Sequence, residues 1–286
     1  MEVSVVGVGT WQFGGEWGRN YEQREVDAIF NAARDCGINL IDTAECYGDH
    51  TSERFIGKAI ESDRDQWVVA TKFGHTFKEN FERDTIIDPA GVVKQLDDSL
   101  RALRTDYVDL YQFHSLDDTA FQTESLWETL QAEVQKGKIR HLGISIGSNQ
   151  NVWQTSQAPA VRAEAIQVVY NRLDRAPENA VFPECAKHNL GVLARVPLAS
   201  GYLSGKYRPG ATFADNDVRG KWHTDAAREA QLAEVEKIRR EELPEGVDMA
   251  AWALAWCLRN PVVTAVIPGC KDAHQVKSNA SAVALL

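Results

Sequence analysis

Three ionisable residues of different types, Asp42, Lys72 and His114, each lie at the end of a short apolar run. Tyr47 follows Asp42 by five residues, on the segment that leaves the first of these runs. A lysine ammonium beside a tyrosine hydroxyl favours the phenolate, so we expect the pKa of Tyr47 to be lowered and the phenol to exchange a proton near neutral pH. With His114 holding the same oxygen by a hydrogen bond, these residues predict protonation of a carbonyl oxygen while a hydride reaches its carbon.

Each of these residues taken alone has a plainer interpretation. A lysine at a strand end often only extends its ammonium to water, and a histidine after an apolar run is often a hydrogen-bonded core residue. The combination is more specific, because Asp42 and Lys72 come from neighbouring runs where an unpaired charge would be costly, and a buried ion pair is therefore expected. A hydrolase that used Asp42 and His114 as acid and base would leave Lys72 and Tyr47 without a role.

Eight apolar runs with the composition of buried parallel strands alternate with amphipathic segments, without a long linker between them. This order predicts an α/β protein with one domain over residues 1–286, a closed (β/α)8 TIM barrel whose functional residues lie at the carboxyl ends of the strands. An open doubly wound sheet is the alternative, but the first run lacks the GxGxxG spacing of that fold. The predicted strands are Ser4–Thr10, Asn39–Ala44, Trp67–Phe73, Val108–His114, Ile139–Ile146, Ile166–Asn171, Gly191–Leu198 and Thr264–Gly269. The predicted helices are Glu22–Cys36, Ser52–Glu61, Pro89–Thr105, Glu124–Lys136, Asn149–Gln157, Asn179–His188, Asp225–Glu242 and Met249–Arg259.

The composition excludes several classes of protein. With 31 Lys and Arg against 41 Asp and Glu, the net charge of −10 argues against a nucleic-acid-binding protein. No run of 18 apolar residues and no signal peptide is visible, so we expect a soluble chain without a membrane partner. Five scattered cysteines without a CxxC pair are typical of the reducing cytoplasm. Since HExxH and clustered His/Cys spacings are also missing, we expect no metal, and redox chemistry would need an organic cofactor.

The motifs at the predicted strand ends resemble the signatures of the aldo-keto reductases, in the same order and over essentially the whole chain. The chain looks most like the bacterial branch that also resembles potassium-channel β-subunits. The matching segments are Asp42–Gly48, Thr71-Lys72, Leu110–His114, Gly143–Ser145, Gln167–Asn171, Pro197–Gly201, Gly205-Lys206, Ile267–Gly269 and Asn279.

The resemblance implies an NADP(H)-dependent reductase of aldehydes, ketones or sugars, with Tyr47 as general acid/base, Lys72 and Asp42 supporting it, and His114 orienting the carbonyl. A cofactor-bound regulatory subunit with slow turnover is the alternative. Ser145 and Gln167 resemble the contacts to the nicotinamide carboxamide. The Pro197–Lys206 loop resembles the pyrophosphate cover, and Gly269–Asn279 the clamp on the adenosine phosphate. The implied cofactor-binding residues are Thr10, Trp11, Ser145, Gln167, Arg195, Pro197, Leu198, Ser200, Gly201, Lys206, Gly269, Lys271, Gln275 and Asn279.

Several positions depart from the family pattern. Ile146 follows Ser145 where asparagine is usual, and that contact is not transferred. Arg195 replaces the usual aromatic residue, and it either stacks on the nicotinamide or reaches an anionic substrate. Gly269 and Gln275 stand where basic residues are frequent, which leaves Lys271 as the cation for a 2′-phosphate. Most of the usual amino-terminal hairpin and the carboxy-terminal tail are expected to be absent.

The remaining aromatic residues and the loops carry less information. Trp11 is expected either to touch the cofactor or to line the substrate pocket, and Trp17 to pack within its loop. His50, His75 and His223 are predicted to be exposed loop histidines, with contact to the substrate as the alternative for His75, which follows the Lys72 strand. The substrate and the oligomeric state cannot be read from the sequence, because the pocket-forming segments follow no rule. These segments are Gly14–Tyr21, His75–Asp88, Ser115–Thr123 and Arg208–His223.

Overall fold

The structure, a computed structural model, describes residues 1–222 and 224–286, so the prediction for His223 lies outside the described residues. Eight parallel strands form one sheet, and their order in the sheet follows the chain. The sheet closes between its first and last strands, where Gly7 N donates to Val266 O at 2.8 Å and Gly9 N donates to Pro268 O at 2.9 Å. The prediction of a closed (β/α)8 barrel is therefore confirmed.

The barrel strands are β1 (Val8–Gly9), β2 (Leu40–Asp42), β3 (Val68–Phe73), β6 (Val108–His114), β7 (Ile139–Ser145), β8 (Ala163–Val169), β9 (Gly191–Arg195) and β10 (Ala265–Val266). Between β3 and β6, β4 (His75–Glu79) and β5 (Glu82–Thr85) form an antiparallel hairpin. The helices are α1 (Gln23–Asp35), α2 (Thr51–Ala59), α3 (Pro89–Leu103), α4 (Asp118–Phe121), α5 (Leu126–Gln135), α6 (Val152–Val161), α7 (Val181–His188), α8 (Arg219–Trp222), α9 (Asp225–Glu241), α10 (Met249–Leu258) and α11 (Ala273–Ala280).

The predicted helices are present, and α3 shows why they begin where the sequence indicated. The carboxylate of Asp88 accepts a hydrogen bond from Gly91 N at 2.8 Å, and Pro89 occupies the first turn, where its missing N–H costs nothing. One stripe of this helix, which includes Val92 and Leu96, is buried against the sheet. No helix within residues 1–222 and 224–286 combines the length and apolar character needed to cross a membrane.

Two sequence predictions, about strand extent and histidine exposure, are wrong. β1 and β10 each cover two residues, because the flanking residues meet only at single bridging pairs where the barrel closes. His50 and His75 are half-buried, since the His50 ring pairs with the buried carboxylate of Glu53 and the His75 ring packs on His114. The segment His75–Asp88, for which the sequence followed no rule, contains the β4–β5 hairpin, and His75 lines a cavity, where its contact with substrate stays a prediction.

The alternation of side chains along each strand decides what lies inside the barrel. In β2, β3 and β6 the inward residues begin with the apolar Leu40, Val68 and Leu110, which pack together. On the same inward faces, Asp42 lies two residues after Leu40 in β2, and Lys72 lies four residues after Val68 in β3. The barrel is therefore apolar towards its amino-terminal end and carries charged groups at the carboxyl ends of the strands.

Candidate functional site

A cavity of about 450 Å³ opens at the carboxyl ends of the barrel strands. Its lining includes the side chains of Asp42, Tyr47 and His114, and Lys72 lies directly beneath Tyr47. Twelve of the fourteen residues predicted to bind the cofactor also line it: Thr10, Trp11, Ser145, Gln167, Arg195, Pro197, Leu198, Ser200, Gly201, Gly269, Lys271 and Gln275. The exposed Lys206 and the buried Asn279 of α11 are not among the lining residues.

Asp42 and Lys72 form the buried ion pair that the sequence predicted. The Lys72 ammonium donates to Asp42 Oδ1 at 2.8 Å and to the carbonyl oxygen of Thr43 at 2.6 Å, and both charged residues are at most 4% exposed. Its third contact is the hydroxyl of Tyr47 at 3.3 Å. Burial has the largest single effect on the Lys72 pKa and lowers it, but the interactions with Asp42 and Tyr47 together outweigh burial and raise the pKa, so the ammonium beside the phenol stays charged.

The second carboxylate oxygen of Asp42 is held by two amides. Gln167 Nε2 donates to it at 2.6 Å and Gln112 Nε2 at 3.3 Å, and Gln167 also donates to Gln112 Oε1 at 3.1 Å. The sequence reasoning missed Gln112, although its signal was present: it stands two residues before His114, on the same inward face of β6. These amides fix the direction of the carboxylate, and through it the position of Lys72.

The expected lowering of the Tyr47 pKa is wrong for the protein as folded. Burial raises the pKa of Tyr47, and the opposing effect of the Lys72 ammonium is smaller. Burial, with the nearby Lys72 charge, also holds the pKa of His114 well below its usual range, so this imidazole is neutral. The site therefore presents a protonated phenol and a neutral imidazole, both of which are able to donate a hydrogen bond to an oxygen.

Two tryptophans cover the phenol. The ring of Trp11 stacks on Tyr47 with centroids 5.8 Å apart, and Trp17 meets Trp11 edge-on at 5.3 Å. Trp17 also lines the cavity, which the prediction of simple loop packing did not include. The Thr10 hydroxyl donates a hydrogen bond to the backbone, to the carbonyl oxygen of Asp42 at 2.8 Å.

Glu16, which no sequence motif singled out, connects the segments around the cavity mouth. Its fully buried carboxylate accepts from Trp11 Nε1 at 2.7 Å and from the backbone N of Phe81 at 2.6 Å. The guanidinium of Arg83 reaches both of its oxygens, at 2.7 and 2.6 Å. The loop after β1 and the β4–β5 hairpin are thus joined by one carboxylate.

Arg195 extends from the end of β9 into the cavity. It donates to the carbonyl oxygen of Ile146 at 3.2 Å, while its buried Nε has no hydrogen-bond partner among the described residues. Burial lowers the pKa of Arg195, with Tyr47 and Asp42 opposing this effect. A buried guanidinium donor facing the cavity suits an aromatic ring or an electron-rich group of a ligand.

Pro197, Leu198, Ser200 and Gly201 also line the cavity, as does Gln275 in the first turn of α11. Ala199 and Ser200 have left-handed φ values of 47° and 56°, a costly conformation that is often found at ligand-binding loops. Lys271 lies half-buried near Arg219, and its ammonium is 3.5 Å from the carbonyl oxygen of Trp17. The amide oxygen of Gln275 accepts from the backbone N of Lys271 at 2.9 Å, so this side chain organises the turn.

The cavity lining fits an anionic cofactor that carries an aromatic ring. Proton-donating groups line the cavity together with Arg195, whose buried Nε has no hydrogen-bond partner among the described residues. Ser200, with its left-handed φ, and the cation Lys271 also line it, and a lysine ammonium is a group that holds phosphates.

The sequence and the fold were also compared with known proteins. Residues 5–286 match the model of the Aldo/keto reductase family. The chain is 32% identical over 285 residues to the aldo-keto reductase YhdN of Bacillus subtilis, an alignment that covers 97% of this chain and 84% of that protein. It is 28% identical over 295 residues to a probable voltage-gated potassium channel subunit beta of Oryza sativa subsp. japonica, covering 99% of this chain and 88% of that protein.

A solved structure has the same fold at similar sequence identity. The glycerol dehydrogenase AKR11B4 from Gluconobacter oxydans superposes with a TM-score of 0.84 at 32% identity, covering 99% of this chain and 87% of that one.

Proposed function

The chain belongs to the aldo-keto reductase family of oxidoreductases, and on that basis we propose that it is an NADP(H)-dependent reductase that converts an aldehyde, ketone or sugar carbonyl to the alcohol. The observation that carries this proposal is the contact between the Tyr47 hydroxyl and a lysine ammonium that is itself paired with a buried carboxylate. The bound nicotinamide would supply the hydride, and the residues of this chain handle the proton.

Proton transfer is assigned to Tyr47. The carbonyl oxygen of the substrate would lie between the Tyr47 hydroxyl and the His114 ring. The centroids of the Tyr47 and His114 rings are 6.1 Å apart. As negative charge develops on that oxygen, Tyr47 donates its proton, and the Lys72 ammonium stabilises the resulting phenolate. The neutral His114 orients the oxygen by a hydrogen bond. In the direction of alcohol oxidation, the same phenolate accepts the proton.

Oxidation of reduced nicotinamide, followed by absorbance against a panel of aldehydes, ketones and sugars, tests the proposal. The panel should include the carbonyl products of small polyols, because one relative of similar fold is a glycerol dehydrogenase. Turnover with at least one carbonyl is expected. The similarity to a potassium channel subunit beta supports the regulatory alternative, which predicts cofactor binding with no substantial turnover on any member of the panel.

We expect NADPH to bind more tightly than NADH by about 5–150-fold, towards the lower end of that range, because one ammonium and several amides contribute about 1–3 kcal/mol to holding a 2′-phosphate. Lys271→Ala should remove most of the difference, whereas Lys277→Ala, which changes an exposed lysine on the helix that follows, α11, should keep it. Fluorescence titration with both cofactors measures this preference. Equal affinities in the unmutated protein would refute the assignment of Lys271.

We assign Arg195 to the cofactor, and the same variant tests the alternative, in which Arg195 binds an anionic or hydroxyl-rich substrate. We expect Arg195→Ala to weaken binding of NADPH and NADP⁺ by about 2–30-fold, as expected for a guanidinium stacked on a ring, and to reduce the preference for the reduced form, whose ring carries no positive charge. Titration of both redox forms measures the effect, with Arg175→Ala, an exposed arginine paired with Glu178, as control. A steep rise in KM at unchanged cofactor affinity would instead assign Arg195 to the substrate.

We further propose that the protein acts in the cytoplasm on small molecules. All five cysteines are free thiols, and four of them are buried, which is typical of proteins from a reducing compartment.

A further inference from the structure

Three side chains whose donor atoms are common zinc ligands meet beside the cavity. Glu45 and Cys46 lie in the turn after β2, and His114 ends β6. Their carboxylate oxygen, thiol sulfur and ring nitrogen all lie within 4.8 Å of one another, and Cys46 Sγ is 3.8 Å from His114 Nδ1. The sequence analysis predicted no metal because no metal-binding spacing motif is present. Two adjacent residues of one turn and a third residue on a distant strand do not produce such a motif.

The carboxyl group of Glu45 is unusually placed for a residue without an assigned role. Glu45 is 3% exposed; one of its oxygens accepts from the backbone N of His75 at 3.1 Å, and the other is buried without a hydrogen-bond partner among the described residues. Burying such an oxygen is costly unless a proton or a cation joins it.

The distances and charges suit a dication. In a tetrahedral zinc site the ligand atoms are about 3.3–3.8 Å apart, so the present set needs movements of only about 1 Å. A Glu45 carboxylate and a Cys46 thiolate would together balance two positive charges, and a neutral imidazole is the form in which histidine binds metals. Lys72 is paired with Asp42 at 2.8 Å, and Arg83, which is paired with Glu16 at 2.6 Å, also contacts the Cys46 thiol.

We propose that Glu45, Cys46 and His114 form a binding site for a thiophilic divalent cation of the Zn²⁺ class. Cys46 and His114 both line the cavity, which gives the ion a path from solvent. On binding, the S–H bond of Cys46 is exchanged for a sulfur–metal bond and its proton is released to water, without any change of oxidation state. His75 lies next to this site: its ring is 5.0 Å from that of His114, and its buried Nδ1 has no partner among the described residues.

The direct test is titration of the metal-free, reduced protein with Co²⁺, followed by the absorbance of the thiolate-to-cobalt charge transfer. One band that saturates at one equivalent and is displaced by Zn²⁺ is expected. Cys46→Ser should abolish this band, and Glu45→Gln should weaken Co²⁺ binding by at least about 10-fold, since even outer-shell changes cost about 10–100-fold in affinity. Thermal melts show whether the Cys46→Ser and Glu45→Gln variants are folded, and one folded variant is enough for the test.

Cys36→Ser is the matched control, because Cys36 is the exposed cysteine of this chain and lies outside the site. Its Co²⁺ band should equal that of the unmutated protein. The absence of a charge-transfer band, a band that persists in Cys46→Ser, or an affinity unchanged in Glu45→Gln would overturn the proposal. These readouts need neither cofactor nor substrate, so they stand whether or not the proposed reductase activity is found.

Discussion

Replacing Tyr47 by phenylalanine is expected to lower kcat by about 10²–10⁴-fold, the usual contribution of a positioned proton donor. The reason is that phenylalanine keeps the ring stacked beneath Trp11 but has no proton to give to the carbonyl oxygen. Cofactor affinity should hardly change. The measurement is kcat under conditions where a deuterated reduced nicotinamide gives an isotope effect, so that chemistry limits the rate.

Tyr21→Phe provides the control for this variant. It removes another buried phenol hydroxyl, one that has no hydrogen-bond partner among the described residues and does not line the cavity. Its kcat should match that of the unmutated enzyme. A Tyr47→Phe enzyme that retained more than about a tenth of the unmutated kcat would show that another group is the acid.

Lys72→Met is expected to reduce turnover at least as strongly and, unlike Tyr47→Phe, to destabilise the fold. The variant loses the charge that opposes the rise of the Tyr47 pKa, and it leaves the Asp42 carboxylate buried without its cation. Breaking a buried ion pair costs about 3–5 kcal/mol, and the amides of Gln112 and Gln167 that remain on Asp42 place the loss near 3 kcal/mol. Thermal melts should show a Tm lower by roughly 6–12 °C.

The double variant Asp42→Asn/Lys72→Met separates the two effects. Removing both charges together relieves the uncompensated carboxylate, so most of the lost stability should return. The activity should not return, because the phenol still lacks its ammonium. A Lys72→Met protein with the Tm of the unmutated chain would mean that the ion pair does not contribute to stability.

Part of the proposed site could be predicted from the sequence, because the periodicity of a strand is a property of a short segment of the chain. Asp42, Lys72 and His114 each end an apolar run, and in a parallel barrel every such end faces the same mouth. Their convergence therefore follows from the order of strands alone. The pairing of Asp42 with Lys72 could also be predicted, since neighbouring runs form neighbouring strands and a buried charge needs a partner.

Other features depended on distances between loops, which no spacing along the chain encodes. Glu16 joins the β1 loop to the β4–β5 hairpin, and its contacts with Arg83 span more than sixty residues. The proposed metal site likewise joins Glu45 and Cys46 to His114, 68 residues further along the chain. Loop conformations are set by many weak contacts at once, so no signal for either arrangement is present in the sequence.

The sequence by itself determined the alternation of strands and helices, the order of strands in the barrel, and the identities of the groups at its carboxyl end. These depend on residue type and period, which are properties of short segments. Only the tertiary structure decided the protonation of those groups. The Tyr47 phenol was expected to have a lowered pKa because of its cationic neighbour, but burial by the surrounding side chains has the larger effect and raises it. Desolvation depends on everything packed around a group, and that is known only once the chain has folded.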